Sequence, residues 1–541
     1  MVRLVERAAA ARGDALMIGH LLRTPLATSP RQQIVYRDEY RGSYADLRGR
    51  IGRLASALRS RGIDEGTTVA VLDWDSHRYL ECYFAVPMMG AVLQTVNIRL
   101  SPDQIAYTLD HARAEVVLVH RDFAPLFEAI RPALPLVREV IPIGDAAGEA
   151  CGYEAMLAAA PEDFPFVDFD ENAVATTFYT TGTTGLPKAV SFTHRQIVLH
   201  TLGVLGALGS SPIGQSLRQG DVYMPLTPMF HVHAWGVPYV ATLLGLKQVY
   251  PGRYEPPMLL QLRAREGVTY SHCVPTILQM LLDAAAASGA DLAGWKINIG
   301  GSALNAALAR RALSKGIDVF AAYGMSETCP YLTATRVMPE VRARGLDAEV
   351  EVRCRTGLPA PLVDLRLVDE RMNDVPRDGA SVGEIVVRAP WLTLGYVGDP
   401  EASEQLWRGG WLHTGDIASQ DADGFVQIRD RMKDVIKTGG EWLSSLQLED
   451  LIARDPGVAE VAVIGLPDER WGERPVALIV RRADAAGAAL TAERVREHLA
   501  PHVASGAIVR YAVPERIDFV AALARTSVGK IDKKAMRAER R

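Results

Sequence analysis

The strongest constraint on the fold is an alternation along residues 67–120. Two apolar runs, TVAVLDW and AEVVLVH, are separated by amphipathic stretches at 76–90 and 101–113. Apolar runs interleaved with helical periodicity imply βαβ units and a largely parallel sheet. The texture recurs from 222 to 334, with YMPLTPMF, KQVYPG, GVTYSHCV, KINIGG and DVFAAYG alternating with helices near 256–266 and 275–287. From about 353 it gives way to short strands and turns (LVDLRLVDE, GEIVVRAP, GFVQIRDR), a β-rich subdomain. After Arg431 it resets, with a strand and glycine turn in DVIKTGG and a helix in LSSLQLEDLIARDP. Strands in VAEVAVIGLPD and RPVALIVRRA, a helix at 491–499 and a strand near 515–520 complete that unit, with DAAGAAL (484–490) as a surface loop. A chain of 541 residues is too long for one core. The expectation is an α/β protein. A large N-terminal domain of stacked α/β subdomains plus the β-rich subdomain covers 1–432, and a small α+β C-terminal domain covers 433–541. The charged segment DRMKD between them suits an exposed hinge.

Charge and cysteine content narrow the functional classes. A net charge of −5 with no long basic run argues against nucleic acid as a partner. The basic tail KIDKKAMRAERR reads as a solvated helix end. Cys82, Cys151, Cys273, Cys329 and Cys354 are scattered, odd in number and without a C-x-x-C pair, which suggests a reducing compartment with neither disulfides nor structural zinc. Arg3, Glu6, Arg7, Arg12 and Asp14 leave no uncharged signal-peptide core. The longest charge-free stretch, 222–246, contains Pro225, Pro228, Pro238, His231 and His233, and suits a buried strand–loop–helix better than a membrane helix. The cytoplasm is the expected location.

Chemistry concentrates first in Tyr179–Lys188, YTTGTTGLPK, directly after the strand-like run NAVATTFY. Glycines let the backbone approach an anion, successive N–H groups and hydroxyls can surround phosphate oxygens, and a lysine adds charge. A nucleoside triphosphate is the natural ligand, although a solvated Thr/Gly turn has the same composition. Gly182, Gly185 and Lys188 do not fit the spacing G-x-x-x-x-G-K-[ST], so this is not a Walker A loop. No G-x-G-x-x-G follows the early strands, which disfavours a nicotinamide-dependent dehydrogenase.

Six further tracts follow. PMFHVHAW (228–235) carries His231, which on its own reads as a packed loop histidine. His231 and His233 form a weak metal pair without a third ligand. IGGSALN (299–305) ends a short strand on small residues. AYGMSETCP (322–330) puts an aromatic ring, a glycine, a hydroxyl and a carboxylate at a strand end, although a lone Ser-Glu pair is usually a helix cap. HTGD (413–416) offers Asp416, whose two oxygens suit a vicinal diol or simply a surface turn. GFVQIRDRMKDVIKTGGEWLSS (424–445) spans the hinge, and ARTSVGKIDK (524–533) contains Lys530, in isolation a solvated charge.

In order and over about residues 35–537, these tracts resemble the adenylate-forming superfamily of acyl-CoA synthetases, adenylation domains and luciferases, most closely its medium- and long-chain fatty acyl-CoA synthetases. The resemblance implies that Thr180, Thr181, Gly182, Thr183, Thr184, Gly185 and Lys188 hold the β- and γ-phosphates of ATP. Gly300, Gly301, Ser302 and Ala303 form a wall against adenine and the acyl carboxylate. Tyr323 stacks on adenine beside Gly324, Ser326 bonds the α-phosphate, and Glu327 with Thr184 binds Mg²⁺. Asp416 takes the ribose hydroxyls and Arg431 contacts ribose and phosphate. His231 lines the acyl pocket, Trp235 gates it, and Lys530 bridges the attacking carboxylate and the α-phosphate. A mobile C-terminal domain turns about Lys433 so that Gly439, Gly440, Glu441 and Trp442 meet CoA. Three positions depart from the pattern: Ala189 replaces a glycine, and Asn305 and Ala524 replace prolines, Asn305 being expected to loosen its turn.

The implied activity is ATP-, Mg²⁺- and CoA-dependent activation of a medium- or long-chain fatty acid through acyl-AMP, with Lys530, Lys188, Glu327 and His231 in the catalytic set. The implied partners are small molecules only, with a homodimer and transient membrane-surface contact compatible. Alternatives are a short thioether, branched or aromatic acid, a carrier-protein acceptor, or a non-catalytic nucleotide- or acyl-binding relative.

Overall fold

The computed structural model describes residues 2, 3, 5–11, 13–144, 152–180, 186–211, 215–438, 441–526 and 530–540. Among these the chain forms four sheets. The first contains the strands Thr68–Leu72, Val92–Thr95, Ala114–His120 and Glu139–Ile143, all parallel, extended by Val174–Tyr179 and closed by antiparallel Ala189–Thr193. Thr68–Leu72 is buried along its whole length, as its unbroken apolar run requires when both faces are covered. The strand Val92–Thr95 has only four residues and no alternation to mark it, and the sequence reading passed over it.

The second sheet has nine strands, with Tyr270–Cys273, Lys296–Ile299 and Asp318–Gly324 parallel at its centre. At one edge it recruits the N-terminal hairpin Gln33–Tyr36/Tyr40–Ser43, because Ile34 pairs in parallel with Gln248. The helix His77–Met88 is buried from His77 to Pro87. Apolar on nearly every face, it lies between the two sheets and packs on strands of both. Its one carboxylate, Glu81, is satisfied by Arg50 at 2.6 Å and the Tyr153 hydroxyl at 2.6 Å.

The third sheet is the expected β-rich unit, an antiparallel meander of Asp364–Val368, Val382–Arg388, Leu412–Gln420 and Val426–Arg431. These three sheets and their helices are the large lobe. The small lobe is the fourth sheet, Ile436–Thr438, Glu441–Leu443, Val458–Asp468, Gly472–Arg481 and Arg516–Phe519, with the helices Ser445–Ile452 and Ala492–Ala504.

Three local expectations are corrected. DAAGAAL contains a helical turn, Ala485–Ala488, capped by Asp484 accepting the Gly487 N–H at 2.9 Å. Asn305 does not loosen its turn: its side chain accepts the Leu308 N–H at 2.8 Å and caps the helix Ala306–Ser314. The basic tail is not simply solvated. Lys533 is buried and pairs with Glu449 at 2.6 Å, and Arg537 pairs with Asp434 at the hinge.

Candidate active site

Parallel strands point their carboxyl ends at one crevice, the usual ligand position in open α/β sheets. Lys296–Ile299 delivers Gly300 and Gly301, and Asp318–Gly324 delivers Ser326 and Glu327. Val174–Tyr179 leads into the threonine-rich tract. The glycines are dictated by their neighbours. A Cβ on Gly300 would lie 2.9 Å from the Trp235 ring, and one on Gly301, at φ +74°, would lie 3.2 Å from Lys530 Cε. Gly324 runs so close to the Pro330 carbonyl that a Cβ would overlap it at 1.8 Å.

Three charged clusters surround this edge. In the first, Asp416 and Arg431 face each other across the meander register, with Arg431 Nε 3.4 Å from Asp416 Oδ1. The Tyr323 hydroxyl donates to Asp416 Oδ2 at 2.7 Å, so ring and carboxylate form one rigid unit. In the second, Glu327 is buried and accepts from the Tyr396 hydroxyl at 2.8 Å. Burial raises its pKa above the ordinary carboxylate value, against the lowering effects of Tyr396, Lys530 and Arg431. A desolvated carboxylate of this kind gains from a hard cation. In the third, Lys188 lies 3.5 Å from Asp399 and 4.6 Å over the Tyr396 ring. Tyr396 therefore touches both Lys188 and Glu327. Neither Tyr396 nor Asp399 was picked out from the sequence; an aromatic ring between two glycines in GYVGD is their only local signal.

Lys530 comes from the small lobe. Its loop is closed by the Thr526 N–H donating to the Lys530 carbonyl at 2.7 Å and by the Lys530 N–H donating to Thr526 Oγ1 at 3.2 Å. The side chain enters the large lobe beside Gly301 and lines a cavity of about 40 Å³ with His231, Trp235, Arg99 and Tyr254. Burial pushes its pKa down to about 8; Arg431 and Lys433 add to the lowering, and Asp416 and Glu327 oppose it. One lysine from the small lobe thus feels the charges of both the Asp416–Arg431 pair and Glu327.

Residues 22–397 match the model of the AMP-binding enzyme family and residues 447–530 that of the AMP-binding enzyme C-terminal domain. The chain belongs to the AMP-binding enzyme family. It is 40% identical over 531 residues to the long-chain-fatty-acid–CoA ligase of Thermus thermophilus, covering 97% of this chain and 95% of that protein. It is 36% identical over 507 residues to the 3-methylmercaptopropionyl-CoA ligase of Ruegeria pomeroyi, covering 92% and 91%. Among solved structures, ATP-bound MatB from Rhodopseudomonas palustris superposes with a TM-score of 0.82 at 26% identity, covering 97% of this chain and 99% of that one.

In this AMP-binding enzyme the histidine-bearing tract adopts a conformation its sequence does not announce. Val232, His233, Ala234, Trp235 and Gly236 all have positive φ, from 47° to 73°, making a left-handed turn. Such a conformation costs about 1–2 kcal/mol per non-glycine residue, so the surroundings must impose it. Four side chains carried by the first sheet and its flanking helix do so. Asp75 accepts the Met229 N–H at 2.8 Å, and Tyr83 donates to the Met229 carbonyl. Thr95 Oγ1 donates to the Phe230 carbonyl at 2.9 Å, and Thr176 Oγ1 meets His233 Nε2 at 2.9 Å. The turn aims Trp235 at Gly300 and packs it on His272, ring centroids 5.0 Å apart. His231 faces the cavity and is held neutral, its pKa lowered to about 3 by burial and by Lys530 and Arg99. His233 packs among Tyr83, Phe178 and Tyr239, so the two histidines do not converge on a metal. Among the described residues no group of three His, Cys, Asp or Glu could hold a metal ion.

The remaining predicted positions are distributed as follows. Thr180 is buried, and its N–H donates to the Lys188 carbonyl at 2.8 Å, closing the neck of the threonine tract. Thr181, Gly182, Thr183, Thr184 and Gly185 lie outside the described residues, as do Gly439 and Gly440 and the side chains of Glu441 and Trp442. Ser302 is exposed beside Gly301, and Ser326 opens a single helical turn, Ser326–Thr328. Lys433 is exposed at the junction. The lobes are tied next to it: Asp430 accepts both the N–H and the hydroxyl of Ser445 at 2.6 Å, and Asp434 pairs with Arg537. No helix among the described residues is long and apolar enough to cross a membrane.

Proposed function

We propose that this enzyme activates a medium- or long-chain carboxylic acid in two steps. The acid's carboxylate oxygen attacks the α-phosphorus of ATP, the bond to the β-phosphate bridging oxygen breaks, and pyrophosphate leaves. The CoA thiolate then attacks the acyl carbon and AMP departs. The observation that carries this reading is the approach of Lys530, from the small lobe, to Gly301 among Asp416, Glu327 and Arg431. In-line phosphoryl chemistry needs positioning and charge neutralisation more than covalent help. Lys530 sits where it can bridge the incoming carboxylate and the α-phosphate. Lys188, fixed by Asp399 and Tyr396, is suited to the outer phosphates, and the Tyr323–Asp416 unit to adenosine. Glu327 and Thr184 would hold Mg²⁺, whose contribution when bound is neutralisation of phosphate charge. His231, uncharged, can line the acid's path without trapping its carboxylate.

We further propose that residues 1–432 bind nucleotide and acid while 433–541 turn about Lys433 between the steps. This withdraws Lys530 and brings the 439–442 segment to the thiol. The fatty-acid reading is supported by the likeness to the Thermus ligase and by the apolar cluster behind Trp235. A short thioether acid is the second reading. It is favoured by the small cavity and by the way Trp235 closes against Gly300 and His272. The test is AMP and acyl-CoA formation across straight-chain acids from butyrate to palmitate and 3-methylthiopropionate, with CoA or a carrier protein as acceptor. Turnover of C8–C16 acids above the others supports the first reading, and preference for the thioether acid replaces it. Absence of pyrophosphate exchange with every acid overturns both.

A further inference from the structure

Beneath the left-handed turn lies a carboxyl group that the proposed chemistry does not use. Asp75 follows the strand Thr68–Leu72 in the segment DWDSH and is 3% exposed. Its Oδ1 accepts the Met229 N–H at 2.8 Å and its Oδ2 accepts the Tyr254 hydroxyl at 2.5 Å, while its own carbonyl accepts the Gly252 N–H at 2.9 Å. Burial raises its pKa to about 7, with Asp73 adding to the rise and Tyr254, Met229 and Arg99 opposing it. A carboxyl group in such a place is costly unless it is fully hydrogen-bonded. Its partners suit the residue: the Met229 N–H can only donate and the Tyr254 hydroxyl donates here, so a carboxylate, with an acceptor at each end, takes both. An amide of the same size would turn one end into a donor, so that the Tyr254 hydroxyl would have to turn and accept.

One partner lines the cavity and the other adjoins it in sequence. Met229 lies two residues before His231, at the root of the strained turn, and Tyr254 lines the cavity with His231, Trp235 and Lys530. We infer that Asp75 is a positioning residue for acid binding: by gripping Met229 and Tyr254 together, it fixes the turn against the opposite wall and sets the width of the acid site. This rests on the acid-activating reading above. The grip itself is a property of the folded chain, so it can be measured without turnover.

The experiment compares Asp75→Ala, Asp75→Asn and Tyr254→Phe with wild type. The acid is the one wild type converts best, and the readouts are pyrophosphate release and backbone amide exchange. The loss of two buried hydrogen bonds sets the scale, so Asp75→Ala should raise KM for the acid about 10- to 100-fold with KM for ATP within about two-fold. Asp75→Asn keeps an acceptor for Met229 and should fall between Asp75→Ala and wild type. Tyr254→Phe should raise the acid KM several-fold, and less when added to Asp75→Asn, because the two share one contact. Exchange across 229–236 should quicken about ten-fold in Asp75→Ala and stay unchanged across 458–481, since opening is local. Equal rises in both KM values, or unchanged exchange in the turn, overturn the inference. If Asp75→Ala does not fold, Asp75→Asn and Tyr254→Phe decide by the same criteria. If wild type converts no acid, the functional reading has failed, and exchange alone judges the grip.

Discussion

The two lysines at the site are held in opposite ways. Lys188 belongs to the large lobe and is neutralised in place, with a carboxylate at 3.5 Å and an aromatic face at 4.6 Å. Lys530 belongs to the small lobe and has no ion pair among the described residues. Its ammonium is desolvated, and its pKa falls from 10.5 to about 8. A fixed cation can mark where phosphates sit at all stages. A cation with a lowered pKa and no fixed partner gains most when a new anion arrives, and it can leave when that anion is consumed. The difference suits a reaction whose first step needs the charge and whose second step does not.

The largest expected break in this contrast is Lys530→Ala. It should slow acyl-AMP formation about 10²–10³-fold, the scale for losing one preorganised electrostatic contact, and leave thioester formation from supplied acyl-AMP within a few-fold. Equal loss in both half-reactions would assign Lys530 a structural part instead. Tyr396→Phe removes the bond to Glu327 and keeps the ring over Lys188. Adenylation should fall about 10-fold or somewhat more, with an increased demand for Mg²⁺. An unchanged Mg²⁺ dependence would detach Tyr396 from the part proposed for Glu327.

The pH dependence follows from Lys530. Adenylation should hold below about pH 8 and fall about ten-fold per unit above it as the ammonium loses its proton, a limb that Lys530→Arg should remove. The linkage has the opposite sign. With a folded-state pKa below 10.5, burial of this lysine destabilises the closed form most below pH 8, and the cost is relieved between pH 8 and 10.5. A rate that keeps rising to pH 10 would contradict the role. The smallest effect belongs to Asp399→Asn. Its half-exposed pair with Lys188 is worth at most about 1 kcal/mol, so KM for ATP should change less than about five-fold.

Much of this architecture could be read from the sequence because local and global preferences agree there. The apolar runs at 68–72, 114–120 and 270–273 are strands, and the helix at Pro256–Glu266 has the predicted bounds. Asp416, Arg431, Glu327 and Lys530, separated by up to some two hundred residues, stand out through the family resemblance of their motifs and meet at one crevice. What was not legible depends on partners distant in sequence. Tyr396 matters only because the Lys188 tract and Glu327 arrive on either side of it. Asn305 was judged as a missing proline, while its capping bond to Leu308 was the relevant property. The tail charges looked solvated because Glu449 and Asp434 lie about one hundred residues away or nearly so. The handedness of 232–236 could not be inferred at all, since nothing in Val-His-Ala-Trp favours it.

That backward coil has a consequence for how the protein loses its structure. Its own residues do not favour it, so it holds only while Asp75, Tyr83, Thr95 and Thr176 stay in position. Under rising urea it should be the first part of the crevice to let go, and affinity for the acid should vanish at concentrations where the nucleotide is still bound.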